Sequence, residues 1–404
     1  MAQGDADQLL DYPIPAPTPL EPPAEWADLR RECPVARVRL PSGDEASLLT
    51  RYEDVRQVLA DPRFSRHLSA PDAARVTADE SGGVFSGTLA RPMDAATHRQ
   101  WRRMVGKWFT ARRMTALRPG IEAMAERLID GMVESGAPAD LRAELGFPLP
   151  VWVICDMLGV PERDREKFAY WSDTLLSLTR YTQDEIDAAQ AEFRVYMADH
   201  IAATRERPGE DLVSELISAA ADAGHVMPDD VLLSTAQGLL VAGHETTSNM
   251  IGKMVGMLLA DRGRWEELLA DRSLVRTAVE EALRMDANGG FGLPRYITED
   301  TWVGETVLAR GTTVVCSLSS ANRDENAFTG AETMDLRRAP NTHLAFGVGA
   351  HSCLGQALAR TELQAVLEVL LRRLPGLELA VPADELEGLE GLVVGGLRTL
   401  PVRW

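Results

Sequence analysis

Cysteine is scarce in this chain, with four in 404 residues. They are Cys33, Cys155, Cys316 and Cys353, and no two stand as a Cys-x-x-Cys pair. That argues against a disulfide-stapled secreted framework, and it leaves zinc and iron–sulfur centres short of ligands. Positive charge is in deficit too: 42 Lys and Arg against 61 Asp and Glu give a formal net charge of −19. Nucleic acid and anionic membranes both call for a basic surface, so neither is expected as a partner. No apolar run reaches the roughly 18 residues of a membrane span. The start, MAQGDADQLL, lacks the positive region and apolar core of a secretory signal. The expectation is a cytoplasmic protein with reduced thiols.

What is present is ordinary globular composition, 45% hydrophobic and 25% charged. The length would allow two domains, but no repeat or linker divides the chain. YPIPAPTPLEPP (12–23) is proline-rich, so residues 1–24 are expected as an extended arm. VARVRL (35–40) and ASLLT (46–50) flank PSGDE as a hairpin, and YEDVRQVLAD reads as a short helix. Residues 67–92 show little periodicity and read as a loop. From about 98 to 286 the pattern is helical. Short strands follow over 295–316, a strong helix over 353–374, and short strands close the chain. The prediction is one domain over 1–404, mainly α with a small β portion.

One cysteine has an unusual setting. In FGVGAHSCLG (346–355), Cys353 precedes a run of strong helix formers. Free N–H groups and the helix dipole at such a place favour a thiolate. Gly347, Gly349 and Gly355 let the backbone curl close to something bulky. A lone thiolate here suits a haem iron, which needs one protein ligand on its proximal side. Two other readings stay open: a capping loop with an incidental buried cysteine, and a nucleophile with His351 as its base.

Three further segments combine residue types that their surroundings do not require. EEALR (280–284) sets Glu281 and Arg284 three apart on one helix face. Left at the surface, such a pair is worth under about 1 kcal/mol. The segment 228–261 reads as one helix, with Pro228, Asp229 and Asp230 suited to its start. In its middle the polar run HETTSN follows the apolar GLLVAG. Gly243 weakens the helix there, and threonine side chains can bond back to carbonyls. A solvated patch is the alternative. In THRQWRRMVGKWF (97–109), His98 and Arg102 share a face with Trp101, Val105, Trp108 and Phe109, while Arg99, Arg103 and Lys107 share another.

FGVGAHSCLG resembles the haem-binding loop of the cytochrome P-450 family, Phe-Gly-x-Gly-x-His-x-Cys-x-Gly, at every fixed position. The likeness runs from about residue 25 to the C-terminus. It implies the P-450 fold and haem b, with Cys353 on the iron and Phe346, Gly347 and Gly355 shaping the loop. It implies propionate contacts from His98, Arg102, Arg295 in LPRYITED, and His351. AGHET is similar to the family's oxygen-activation motif. Ala242 and Gly243 would then open a groove beside the haem, and Glu245 and Thr246 would form the acid–alcohol pair that delivers protons. Glu281 and Arg284 match the family's Glu-x-x-Arg, whose second arginine would be Arg338, with Arg337 as competitor. One departure stands out: Asp94-Ala95-Ala96-Thr97-His98 lacks the prolines the family commonly carries, which puts the preceding loop in question.

The implied activity is a haem-thiolate monooxygenase acting on a small organic molecule, in the manner of actinomycete members that tailor secondary metabolites. Electrons would come from outside, through ferredoxin reductase and ferredoxin. The basic face Arg99–Arg103–Lys107, with Arg112 and Arg113, would dock that acidic donor, although it also reads as a plain solvated charge run. The pocket would be lined by 67–93, helices near 170–200, the Ala242 face, 288–294 and Val393–Val394. A monomer is expected. Two rivals are oxidative coupling or desaturation without oxygen insertion, and a non-catalytic haem sensor or electron carrier.

Overall fold

Alternating residues in the first β segment make a hairpin, Val35–Arg39 against Glu45–Leu49, with Val38 opposite Ala46 and Gly43 turning at a φ of 89°. Ala36 and Val38 are buried while Arg37 and Arg39 are exposed, as a two-residue period with one face inward requires, and Leu48 and Leu49 are both buried where the second strand is covered on both faces. The hairpin sits in a six-stranded sheet in the order Leu10–Asp11, Val35–Arg39, Glu45–Leu49, Thr313–Cys316, Leu293–Ile297 and Phe64–Ser65. Sequence-distant strands therefore meet: Ser47 pairs with Val314, and Val314 with Arg295. A three-stranded sheet joins Glu378–Leu379, Pro401–Arg403 and Ala139–Asp140. Thr301–Val303 and Thr306–Leu308 form a separate hairpin. The computed structural model describes residues 9–68, 70–76, 94–175, 180–222, 227–389 and 394–404.

The rest is mostly helix. Asp229–Leu259 is the central element: it packs against the helices Pro148–Met157, Arg165–Leu175, Gln183–Glu206, Val275–Met285 and Gln356–Arg373. A helix enclosed by so many neighbours must bury nearly every side, which explains why its sequence shows little amphipathic contrast. Pro228 is its N-cap, and Asp229 and Asp230 lie in the first turn. Gly243 leaves the helix unbroken. The helix Ala95–Gly106 starts at Asp94, whose carboxylate accepts from the N–H groups of Ala96 and Thr97. An aspartate cap thus starts this helix, with Ala96 where the family's Asp-x-Pro-x-His carries its proline. Trp108 and Phe109, assigned to this helix face from the sequence, lie just beyond its end and are buried.

Most of the polar run in the central helix is interior. His244, Glu245, Thr247, Ser248 and Asn249 are all buried, whereas Ala242 and Thr246, one turn apart, are exposed. HETTSN is therefore not a solvated patch.

Candidate active site

The cysteine loop is fixed by glycine geometry. Gly347 and Gly349 have φ of 60° and 77°. A Cβ on Gly349 would stand 2.8 Å from the Leu59 carbonyl oxygen, so no other residue fits there. The Cys353 N–H donates to Phe346 O at 2.7 Å and closes the loop. The following helix begins only at Gln356. Cys353 is exposed, yet its surroundings desolvate the thiol. Burial pushes it up, opposed by the Gly355 backbone and by Arg102 and Arg360. Desolvation at this loop disfavours a free thiolate, contrary to what the helix dipole alone suggests. A sulfur crowded by protein yet open on one side is a fit place for one bulky ligand.

Cations gather beside this loop. Arg102 Nη2 donates to Ser352 O at 2.6 Å and to its hydroxyl at 3.0 Å. The rings of His98 and His351 lie 4.3 Å apart. Arg66 Nη1 approaches His351 Nδ1 at 3.5 Å. Arg295 is buried on its strand and gives one bond to the Pro294 carbonyl. Burial pushes the His351 imidazole down to about 3, and Arg66, His98, Arg295 and Arg102 press in the same direction. Burial likewise lowers Arg295 to about 10. Among the described residues no carboxylate pairs with Arg66, Arg102 or Arg295. His98, Arg99, Arg102, Arg103 and Ala350 line a cleft of about 500 Å³. Cations held together without a counter-charge call for an anion.

The helix Ala95–Gly106 also reaches the central helix, where Trp101 Nε1 donates to Thr235 Oγ1 at 2.9 Å. Thr246 Oγ1 donates to Ala242 O at 2.7 Å. Glu245 turns inward: its Oε1 accepts from Asn249 Nδ2 at 3.1 Å and lies 3.9 Å from Arg142 Nη2. Burial pushes its carboxyl up, partly offset by Arg142. Glu245 and Thr246 make no hydrogen bond with each other; their contacts run to opposite partners. His244 packs edge-on against Phe147 at 4.5 Å, and burial takes its imidazole down to about 3.

Glu281, Arg284 and Arg338 come together. Arg284 donates to both Glu281 oxygens, at 2.9 and 2.8 Å, and both side chains are fully buried. Arg338 Nε adds bonds of 3.1 and 3.0 Å. Arg337 goes instead to Glu267, at 2.8 Å. Asn341 and the Asp335 N–H complete the shell around Glu281. On the basic face, Arg99, Arg103, Lys107 and Arg112 are exposed, but Arg113 binds Glu215 at 2.7 Å and lies over Trp108. Of the expected pocket segments, 69, 77–93 and Val393 lie outside the described residues, as do 176–179.

Sequence reasoning missed Arg66, Arg142 and Asn249. Arg66 meets His351 across 285 residues, and no local pattern marks it. Asn249 carried a signal, because it lies one helical turn after Glu245.

A lone open thiol in a glycine loop, unbalanced cations and a buried Glu-x-x-Arg pair define a haem-thiolate protein. The family model "Cytochrome P450" matches residues 170–379. Nocardicin C N-oxygenase of Nocardia uniformis subsp. tsuyamanensis is 43% identical over 97% of this chain and 98% of its own. Mycinamicin IV hydroxylase/epoxidase of Micromonospora griseorubida is 43% identical over 94% of each. The solved structure of the mixed-function P450 MycG superposes with a TM-score of 0.89 at 42% identity, covering 98% of this chain and all of that one. The chain belongs to the cytochrome P450 family, and it is a monooxygenase with iron protoporphyrin IX as cofactor.

Proposed function

We propose that this P450 inserts oxygen into a natural product of secondary metabolism. The proposal draws on relatives named for nocardicin C and for mycinamicin IV. When bound, the haem supplies dioxygen activation. Cys353 would hold its iron, and Phe346, Gly347 and Gly355 would keep that loop in shape. Arg102 and Arg295 would neutralise the propionates, with Arg66 added to the set, and His98 and His351 would offer them hydrogen bonds. Ala242 leaves room on the exposed face of the central helix, whereas a Cβ on Gly243 would stand 3.2 Å from Ile154 Cδ1, so Gly243 serves close packing with that neighbour rather than an open groove. The exposed Thr246 hydroxyl would hand on a proton, with the buried Glu245 carboxyl as the acid beside it in the chain. Glu281, Arg284 and Arg338 brace the proximal side.

The observation that carries this reading is the uncompensated cation set next to the exposed Cys353 thiol. Purified protein reduced under carbon monoxide should show the red-shifted absorption of thiolate-bound haem, and Cys353→Ser should abolish it. Persistence of that absorption in Cys353→Ser would sink the assignment. A Soret shift on adding macrolide or peptide scaffolds, followed by product mass, identifies the substrate and separates oxygen insertion from loss of two hydrogens.

The chain acts as a single-domain cytoplasmic monomer supplied by ferredoxin and its reductase. No helix among the described residues is long and apolar enough to cross a membrane. Arg99, Arg103, Lys107 and Arg112 form the docking face on an otherwise acidic protein. Charge reversal at Arg103 and Lys107 should slow reduction by ferredoxin at low salt and leave dithionite reduction unchanged.

A further inference from the structure

Glu245, Asn249 and Lys253 stand four residues apart on the central helix and share one face. All three are buried, Lys253 at 2% exposure. An ammonium in the interior is costly unless paired. Lys253 Nζ meets Asp286 Oδ2 at 2.7 Å and donates to Asn288 O at 2.6 Å. Asp286 Oδ1 accepts from Asn288 N at 3.0 Å, so one carboxylate holds both the lysine and the turn that follows. This stretch, 286–292, has no helix or strand to fix it.

The contacts continue from there. Asn288 Nδ2 donates to Gly396 O at 3.3 Å, and Leu389 N donates to the same carbonyl at 2.8 Å. A Cβ on Gly395 would stand 2.6 Å from Asn288 O, and one on Gly396 would stand 2.5 Å from Asn249 Cγ. Only bare backbone lets this turn close on both asparagines. Asn249 Nδ2 in turn donates to Glu245 Oε1. Asn249 Oδ1 has no hydrogen-bond partner among the described residues. Its amide is therefore oriented by that one bond and by the pressure of Gly396.

We propose that Lys253 is a positioning residue for Glu245, acting through Asn288, the Gly395–Gly396 turn and Asn249. Loss of the ammonium frees the Asn288 carbonyl, the turn relaxes, and the Asn249 amide loses the surface that orients it. Glu245 then loses its fixed donor. The inference rests on reading Glu245 as the acid beside the haem.

The test uses the full-length holoprotein. The infrared stretch of carbon monoxide on the reduced haem responds to polar groups around it. Glu245→Gln and Asn249→Leu should each shift this band. Lys253→Met, Asn288→Ala and Gly396→Ala should shift it in the same direction as Asn249→Leu, and none should add to Asn249→Leu when combined with it. Hydrogen exchange should quicken at 286–289 and 394–397 in Lys253→Met and Asn288→Ala. Lys253→Met combined with Asp286→Asn leaves no unpaired charge, so that double variant carries the test if Lys253→Met alone fails to fold. An unmoved band in folded Asn288→Ala or Lys253→Met, with Asn249→Leu shifted, overturns the proposal even if exchange quickens, because the tie is then only structural. No red-shifted carbon monoxide absorption at all would instead overturn the role of Cys353. A band indifferent to Glu245→Gln would overturn the placing of Glu245, and this proposal with it.

Discussion

Glu281→Gln is the most demanding test of the proximal scaffold. It keeps the side-chain shape and removes one charge. Glu281 accepts from Arg284, Arg338, Asn341 and the Asp335 N–H, and neither it nor Arg284 has any exposed surface. The substitution leaves a buried guanidinium without its counter-charge and turns an amide toward donors. Breaking a buried pair from one side costs about 3–5 kcal/mol. That is a large part of the roughly 5–15 kcal/mol by which domains are stable. Arg284 keeps carbonyl acceptors on Asn322 and Ala331, which sets the loss toward the lower end. An unfolding entropy of about 2.1 cal/mol/K per residue gives roughly 0.85 kcal/mol/K for a chain of this length, so Tm should fall by about 3.5–6 °C. The assay is thermal unfolding by circular dichroism, with haem absorbance followed in the same sample. Arg337→Ala is the control: its partner Glu267 is a surface residue, and such a pair is worth about 1 kcal/mol or less. A Glu281→Gln protein that melts within about 1 °C of wild type, or an Arg337→Ala protein that falls as far, would refute the reasoning.

Thr246→Ala should retain haem but divert reducing equivalents to peroxide, seen as a lower ratio of product formed to NAD(P)H consumed; unchanged coupling would count against the hydroxyl as donor. Arg66→Leu should weaken haem retention, measured as faster haem transfer to apomyoglobin, if Arg66 belongs to the propionate set. Glu362 is buried at 1% exposure, and burial pushes its carboxyl well above the ordinary range. The unfolded chain gives up this proton near pH about 4.3 while the folded chain keeps it, so Glu362 makes stability fall as pH rises from there. Glu362→Gln should therefore gain Tm relative to wild type on going from pH 5 to pH 7. A constant difference across that range would show that the carboxyl ionises alike in both states.

Local patterns carried much of the site. The Cys353 loop could be read because its glycines, histidine and cysteine are consecutive and their backbone constraints are local. Glu281 and Arg284 could be read because helical spacing alone brings them together. The alternation of residues 35–50 and the helix start at Pro228 were equally local. Tertiary packing decided the rest. It chose Arg338 over Arg337 for Glu281, turned Glu245 inward and Thr246 outward, and took Arg113 out of the basic face. It brought Arg66 to His351 and Lys253 to Asn288, and it raised the Cys353 thiol by desolvation where the dipole alone pointed down. The dividing line is physical. Hydrogen bonds and side-chain spacing within one element are set by neighbours in the chain, whereas burial, and the partner a charge finds once buried, depend on segments hundreds of residues away.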